Sequence, residues 1–178
     1  MVNMHTMALR TIRTYPDPVL RAKTTRVDTI DDSLQRLIDD MVETMHAAPG
    51  VGLAANQVGV PLQLAVIDIG EREEGRPKRS LIVLINPEIL FQEGSVIAEE
   101  GCLSIPDLTE KVKRAARVRV RAQDRTGKPF ELEADGLMAK ALQHEIDHLN
   151  GILFVDRLSS LKRNIFRRKL KKALAETA

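Results

Sequence analysis

Gly136-Leu137-Met138-Ala139-Lys140-Ala141-Leu142-Gln143-His144-Glu145-Ile146-Asp147-His148-Leu149 is the stretch that decides how the rest of the chain is read. Its residues favour a helix, and Asn150-Gly151 close it. Positions four apart on a helix share a face, so His144 and His148 can aim two imidazoles at one metal ion. Glu145 directly follows the first histidine. Its carboxylate is thereby held beside the ion without being a ligand, where a general base for a coordinated water belongs. Two helical histidines alone would read as an ordinary solvated or apolar face; the embedded glutamate favours a metal site. The same period puts Leu137 and Ala141 on the histidine face and sets Leu142, Ile146 and Leu149 toward a core.

Two imidazoles and a water leave a metal shell short of a ligand. The chain has one cysteine, Cys102, in Glu99-Glu100-Gly101-Cys102-Leu103-Ser104-Ile105-Pro106. A thiolate with two imidazoles suits a divalent transition metal with one position open. Taken alone, Cys102 reads as a small buried hydrophobe, but Gly101 beside it permits close backbone approach. Upstream stands Gly50-Val51-Gly52-Leu53-Ala54-Ala55-Asn56-Gln57. Its glycines fit neither nucleotide fingerprint and it has no lysine, so they suggest backbone packed against a site rather than a phosphate cradle.

In this order, the Gly-Val-Gly-Leu-Ala-Ala-Asn-Gln, Glu-Gly-Cys-Leu-Ser and His-Glu-Ile-Asp-His blocks resemble the three motifs of the bacterial peptide deformylases. The likeness runs from about Leu9 to about Leu161. It implies removal of the formyl group from the N-terminal formylmethionine of new polypeptides, in the bacterial cytoplasm. Cys102, His144 and His148 would hold the metal, and a water on it would attack the formyl carbon with Glu145 as general base and then acid. Gln57 and the backbone N–H of Leu103 match the family's oxyanion donors. Gly52 would meet the substrate backbone, with Val51 and Leu137 lining the methionine pocket and Ala98 and Lys140 at its edges. Glu100 and Arg114 match a pair that holds the cysteine loop. The resemblance points to Fe²⁺ as the native metal, with Zn²⁺, Ni²⁺ or Co²⁺ possible in the isolated protein. Two residues depart from the pattern. Thr109 stands where some relatives have an arginine, and Lys140 where an apolar residue is common.

The whole chain bounds the alternatives. Its 178 residues, 43% apolar and 29% charged, suit one domain with a proper core. Residues 1–7 are expected to be a flexible extension, and residues 159–178 a basic helix. One cysteine rules out an intrachain disulfide and fits a reducing compartment. No apolar run approaches a membrane span, and a net charge of +2 makes no case for DNA. A zinc protease with the same helix motif would usually recruit a third histidine or glutamate downstream, and no histidine follows His148. A purely structural site would need four protein ligands.

The remaining segments predict an α+β fold, with antiparallel or mixed sheets around the metal helix and a helix near each end. Arg13 to Arg21 is broken by prolines and reads as an outer loop. Asp31-Asp32-Ser33 starts a helix carrying Leu34, Leu37, Ile38, Met41, Val42 and Met45, which Pro49-Gly50 ends. Leu62 to Ile67 and Leu81 to Ile85 read as strands around an exposed loop from Glu71 to Ser80. Asn86-Pro87 marks a bend, and a short strand leads through Val96-Ile97 to Cys102. Lys111 to Ala134 reads as a hairpin around Asp124-Arg125-Thr126-Gly127. Its alternating Arg117, Arg119 and Arg121 face Glu131 and Glu133 across the strands rather than nucleic acid. From Ser159, Leu161, Ile165, Leu170 and Leu174 make one side of an amphipathic helix otherwise crowded with Lys and Arg. That is either a solvated face or, as the resemblance implies, a surface that meets the ribosome near the nascent-chain exit.

Overall fold

In the computed structural model, which describes residues 8–70, 72–73, 76–77 and 80–177, the apolar spacing from Leu34 onward forms helix α1 (Asp32–Ala47). The Asp31 carboxylate accepts from the N–H of Leu34 at 2.9 Å and caps the first turn. Leu34, Leu37, Ile38, Met41 and Met45 bury against Leu53, Leu64, Val66 and Ile85. Those partners belong to β1 (Gly52–Ala54), β2 (Leu64–Ile67) and β5 (Ile82–Glu93). The expected 1–7 extension lies outside the described residues, as does half of the Glu71–Ser80 loop. Within that loop β3 (Arg72–Glu73) pairs with β4 (Arg76–Pro77).

Two strand expectations need correcting. Asn86-Pro87 does not end its strand, because β5 runs on to Glu93 with a register shift between Ile85 and Glu88. Asn86, at φ 52°, replaces a lost rung with its own amide. Its Oδ1 accepts from Val27 N at 2.8 Å and its Nδ2 donates to Val27 O at 2.9 Å. The expected Lys111–Ala134 hairpin is also shorter. Lys111 to Arg114 belong to β7 (Ile105–Arg114), which pairs with β6 (Val96–Cys102) in a separate two-stranded sheet. The hairpin proper joins β8 (Arg117–Gln123) to β9 (Pro129–Asp135). Arg119 pairs with Glu133 and Arg121 with Glu131, as their alternation suggested. The larger sheet is antiparallel, in the order β1-β2-β5-β8-β9.

Helix α2 (Gly136–Leu149) carries the two histidines. Ala139, Leu142, Ile146 and Leu149 bury against Ala54, Ala65, Ile67, Val118 and Val120 of the large sheet. Its histidine side meets the β6–β7 sheet. The chain leaves α2 through Gly151 at φ 71°, where a Cβ would fall 2.5 Å from Arg21 O, so only glycine fits. A 3-10 turn at Phe154–Arg157 leads to α3 (Ser160–Glu176), which the Ser159 side chain caps.

Phe166 and Leu170 seat α3 on Phe154, Val155, Leu158 and Leu20, while Leu161, Ile165 and Leu174 stay exposed. The helix therefore docks through an edge of its apolar stripe that includes Phe166, which the spacing of the leucines alone does not pick out. The Arg13–Arg21 loop is firmly tied: Leu20 is fully buried, Arg13 N donates to Gln57 O at 2.6 Å and Tyr15 N to Ser104 O at 2.8 Å.

Candidate metal centre

Helical spacing stacks the two imidazoles as expected. His144 Nε2 and His148 Nε2 stand 3.1 Å apart, and Cys102 Sγ lies 3.2 Å from His148 Nε2. The three donor atoms all fall within 4.8 Å of one another. Donors bonded at about 2.0–2.3 Å in tetrahedral directions stand roughly 3.4–3.7 Å apart, so one ion fits this set. Cys102 reaches it from the end of β6, just before the two-residue turn Leu103-Ser104.

The tautomer of His144 follows from its other nitrogen. Nδ1 lies 2.9 Å from Glu100 Oε2 and is assigned as the donor, which leaves the Nε2 lone pair facing the cluster. Arg114 grips Glu100 through two parallel bonds, Nε to Oε1 and Nη2 to Oε2, each 2.9 Å. Burial alone would raise the Glu100 pKa, but Arg114 and His144 outweigh it and hold the carboxyl at about 2. The His148 pKa is pushed well down by burial and then by the charge of His144. Burial pulls on His144 too, yet its bonds to Cys102 and Glu100 raise it well above its usual range. A proton on His144 Nε2 would sit where a cation belongs, and binding the cation would release it.

Glu145 is 3% exposed and its Oε2 has no hydrogen-bond partner among the described residues. Burial lifts its pKa to about 7, against the lowering charge of His144. A buried carboxylate oxygen left bare beside a converging donor set fits a group that approaches from the cavity. Gly52 explains the double glycine upstream. A Cβ there would lie 2.4 Å from Glu145 Oε1, so any side chain would displace the carboxylate.

The Gln57 amide is fixed at both ends. Its Oε1 accepts from Ala54 N at 2.9 Å, and its Nε2 donates to Ser104 Oγ at 3.0 Å and lies 3.6 Å from Cys102 Sγ. The second Nε2 hydrogen is thereby turned toward Cys102 Sγ. A cavity of about 500 Å³ opens over the cluster, with Val51, Gly101, Leu103, Leu137 and Lys140 in its walls. Val51 and Leu137, 43% and 45% exposed, give it apolar walls. Lys140 Nζ donates to Glu99 O at 3.1 Å, and Thr109 Oγ1 donates to the Glu99 carboxylate. Ala98 and Thr109 are not in the cavity wall.

Sequence reasoning passed over three polar residues inside its own motifs. Ser104 orients Gln57. Asn56 is fully buried and its Nδ2 donates to His148 O at 2.6 Å. Asp147 accepts from two arginines. For Asn56 and Ser104 a polar residue amid apolar neighbours was the available signal; Asp147 stands in a charged motif and carries no such mark.

A thiolate and two imidazoles that converge in an open cavity, with a bare carboxylate alongside, define the class: a mononuclear metallohydrolase. The comparisons with known proteins narrow it. A family model described as "Polypeptide deformylase" matches residues 9–164. The peptide deformylase of Syntrophobacter fumaroxidans is 55% identical over 170 residues, 96% of this chain and 98% of that protein. Among solved structures, a peptide deformylase from Legionella pneumophila is 52% identical with a TM-score of 0.85, over 96% of this chain and 98% of its own. That from Thermus thermophilus is 44% identical with a TM-score of 0.86, over 95% and 97%. The chain belongs to the peptide deformylase family, metalloenzymes that remove the N-formyl group from nascent polypeptides.

Proposed function

We propose that the chain carries out this deformylation as a single domain, with Glu145 as its acid–base group and Cys102, His144 and His148 as metal ligands. The observation that carries the reading is the bare Glu145 Oε2 beside the three converging donors. When bound, a divalent cation supplies Lewis acidity, lowering the pKa of a coordinated water and drawing charge from the formyl oxygen. Glu145 takes the proton of the attacking water and returns it to the departing amine. Gln57 Nε2 and the Leu103 N–H donate to the formyl oxygen as it gains charge. Gly52 lets the substrate backbone pass close to Glu145, and the methionine side chain fills the apolar walls at Val51 and Leu137. The Lys140 stem lines the same cavity with its ammonium turned to the Glu99 carbonyl. Glu100 and Arg114 hold His144 and the cysteine turn.

The metal we assign is Fe²⁺. Affinity order alone favours zinc over ferrous iron. Ferrous iron, however, takes a fifth ligand more readily than zinc held by a thiolate. Metal-free protein reconstituted without air should therefore release formate from a formyl-Met peptide much faster with iron than with zinc. Air should then inactivate the iron form, because dioxygen oxidises both iron and a thiolate such as Cys102. Equal rates for the two metals, both stable in air, would refute the assignment. No release with any metal would refute the reaction.

The same reading places the protein in the bacterial cytoplasm, with its basic helix on the ribosome. No helix among the described residues is long and apolar enough to cross a membrane. Arg167, Arg168, Lys171 and Lys172 are exposed on α3, while Phe166 and Leu170 are in the core. Charge removal therefore tests docking better than truncation. Glutamine at those four positions should leave turnover on short peptides intact and weaken ribosome co-sedimentation. The slope of log affinity against log salt should flatten by roughly three. Unchanged co-sedimentation would return α3 to an ordinary solvated helix.

A further inference from the structure

A row of charges runs inward from the surface behind the metal centre. Arg157, the last residue of the 3-10 turn after α2, donates Nε to Asp147 Oδ2 at 3.0 Å and Nη2 to Asp147 Oδ1 at 2.5 Å. Asp147 lies three residues after His144 and one before His148. It also accepts from Arg114 Nη1 at 2.5 Å. Arg114 holds Glu100 with its other two donors, and Glu100 Oε2 holds His144 Nδ1. The side chains of Asp147, Arg114 and Glu100 are 9%, 4% and 3% exposed, and Arg157 is 45% exposed.

The balance of charge gives Arg157 a task. With His144 neutral, as it must be to offer Nε2 to a metal, Glu100 and Asp147 bring two negative charges and Arg114 one positive. Arg157 supplies the second cation, and a buried cluster tolerates an uncompensated charge poorly. Without Arg157, Asp147 stays fixed on α2 with Arg114 as its remaining cation. Arg114 is then drawn toward Asp147 and off its parallel grip on Glu100. The Glu100 oxygen that moves is the one that orients the His144 ring.

We propose that Arg157 is a positioning residue for the metal ligand His144, acting through Asp147, Arg114 and Glu100. The proposal rests on the metal reading above. Partners one shell out from a metal typically change its affinity 10- to 100-fold, and the outermost member of this row belongs at the low end.

The test is metal release. Wild type, Arg157→Gln, Arg157→Lys, Asp147→Asn and the Asp147→Asn/Arg157→Gln double variant are loaded with Co²⁺. Loss of the thiolate–cobalt absorption is followed in excess chelator. Arg157→Gln should release cobalt about tenfold faster. Arg157→Lys should fall between, keeping the charge but not the two-bond grip. In the Asp147→Asn background the second carboxylate charge is gone, so Arg157→Gln should add almost nothing. A wild-type release rate in Arg157→Gln overturns the proposal. So does an equal factor in both backgrounds, which would mark Arg157 as a plain clamp of the turn. Should Asp147→Asn not fold, equal rates for Arg157→Lys and Arg157→Gln count against it. Cys102→Ala with undiminished cobalt absorption would instead overturn the metal reading itself.

Discussion

Glu145→Gln should purify with its full metal content and lose nearly all formate release, a fall on the order of 10²–10⁴-fold, the range of general acid–base catalysis. The amide matches the carboxylate in shape and keeps the same place over Gly52, so the fold and the three ligands have no reason to move. It cannot take a proton from the attacking water. The pH profile of the wild type carries the same message. In the metal-free protein burial raises the Glu145 pKa to about 7. A nearby cation favours the ionised form and lowers it. Turnover needs the carboxylate, so kcat/KM should fall with unit slope as pH drops, through a limb at or below about pH 7. Glu145→Gln should lack that limb. A variant with normal metal and normal formate release would end the assignment.

Gln57→Ala should cost about 10²–10³-fold in kcat, the usual loss for one oxyanion donor. The residue is well placed for such a role because its amide does not have to search for an orientation. Ala54 N and Ser104 Oγ hold it from two sides. Donors fixed before the reaction need no rearrangement as charge develops. The substitution also leaves Ala54 N without its acceptor, so metal content and melting temperature must be measured beside the kinetics. A rise in KM with kcat unchanged would make Gln57 a residue that binds substrate and transition state equally.

The features legible in the chain were the local ones. His144 and His148 converge because helix geometry alone brings positions four apart together. The α1 cap at Asp31 and the cross-strand pairs of Arg119 and Arg121 are likewise set by short-range periodicity. The third ligand was different. Nothing in the spacing of Cys102 tied it to α2; its chemistry as the chain's one cysteine, beside Gly101, made it a candidate and the likeness to a family strengthened it, while the β6–β7 turn brings its sulfur within reach. Asn86 misled because its turn-like sequence is absorbed by side-chain bonds to Val27, a partner far off in the chain. Arg157 was illegible for the same reason. Its value lies in a charge balance among Glu100, Arg114 and Asp147, drawn from three elements, and no window of sequence contains that sum.

The aromatic rings behind His144 bear on how far the chain can be shortened. Phe154 stacks on the His144 ring with centroids 6.4 Å apart and planes 24° from parallel. Its other side meets Phe166 of α3 edge to face at 5.5 Å. Helix α3 is therefore wall as well as decoration: a protein clipped anywhere before Phe166 would present to water the ring that backs His144. For anyone trimming or tagging this enzyme, the boundary set by packing falls after Leu170; beyond it, what remodelling would put at stake is the proposed ribosome contact of Lys171 and Lys172.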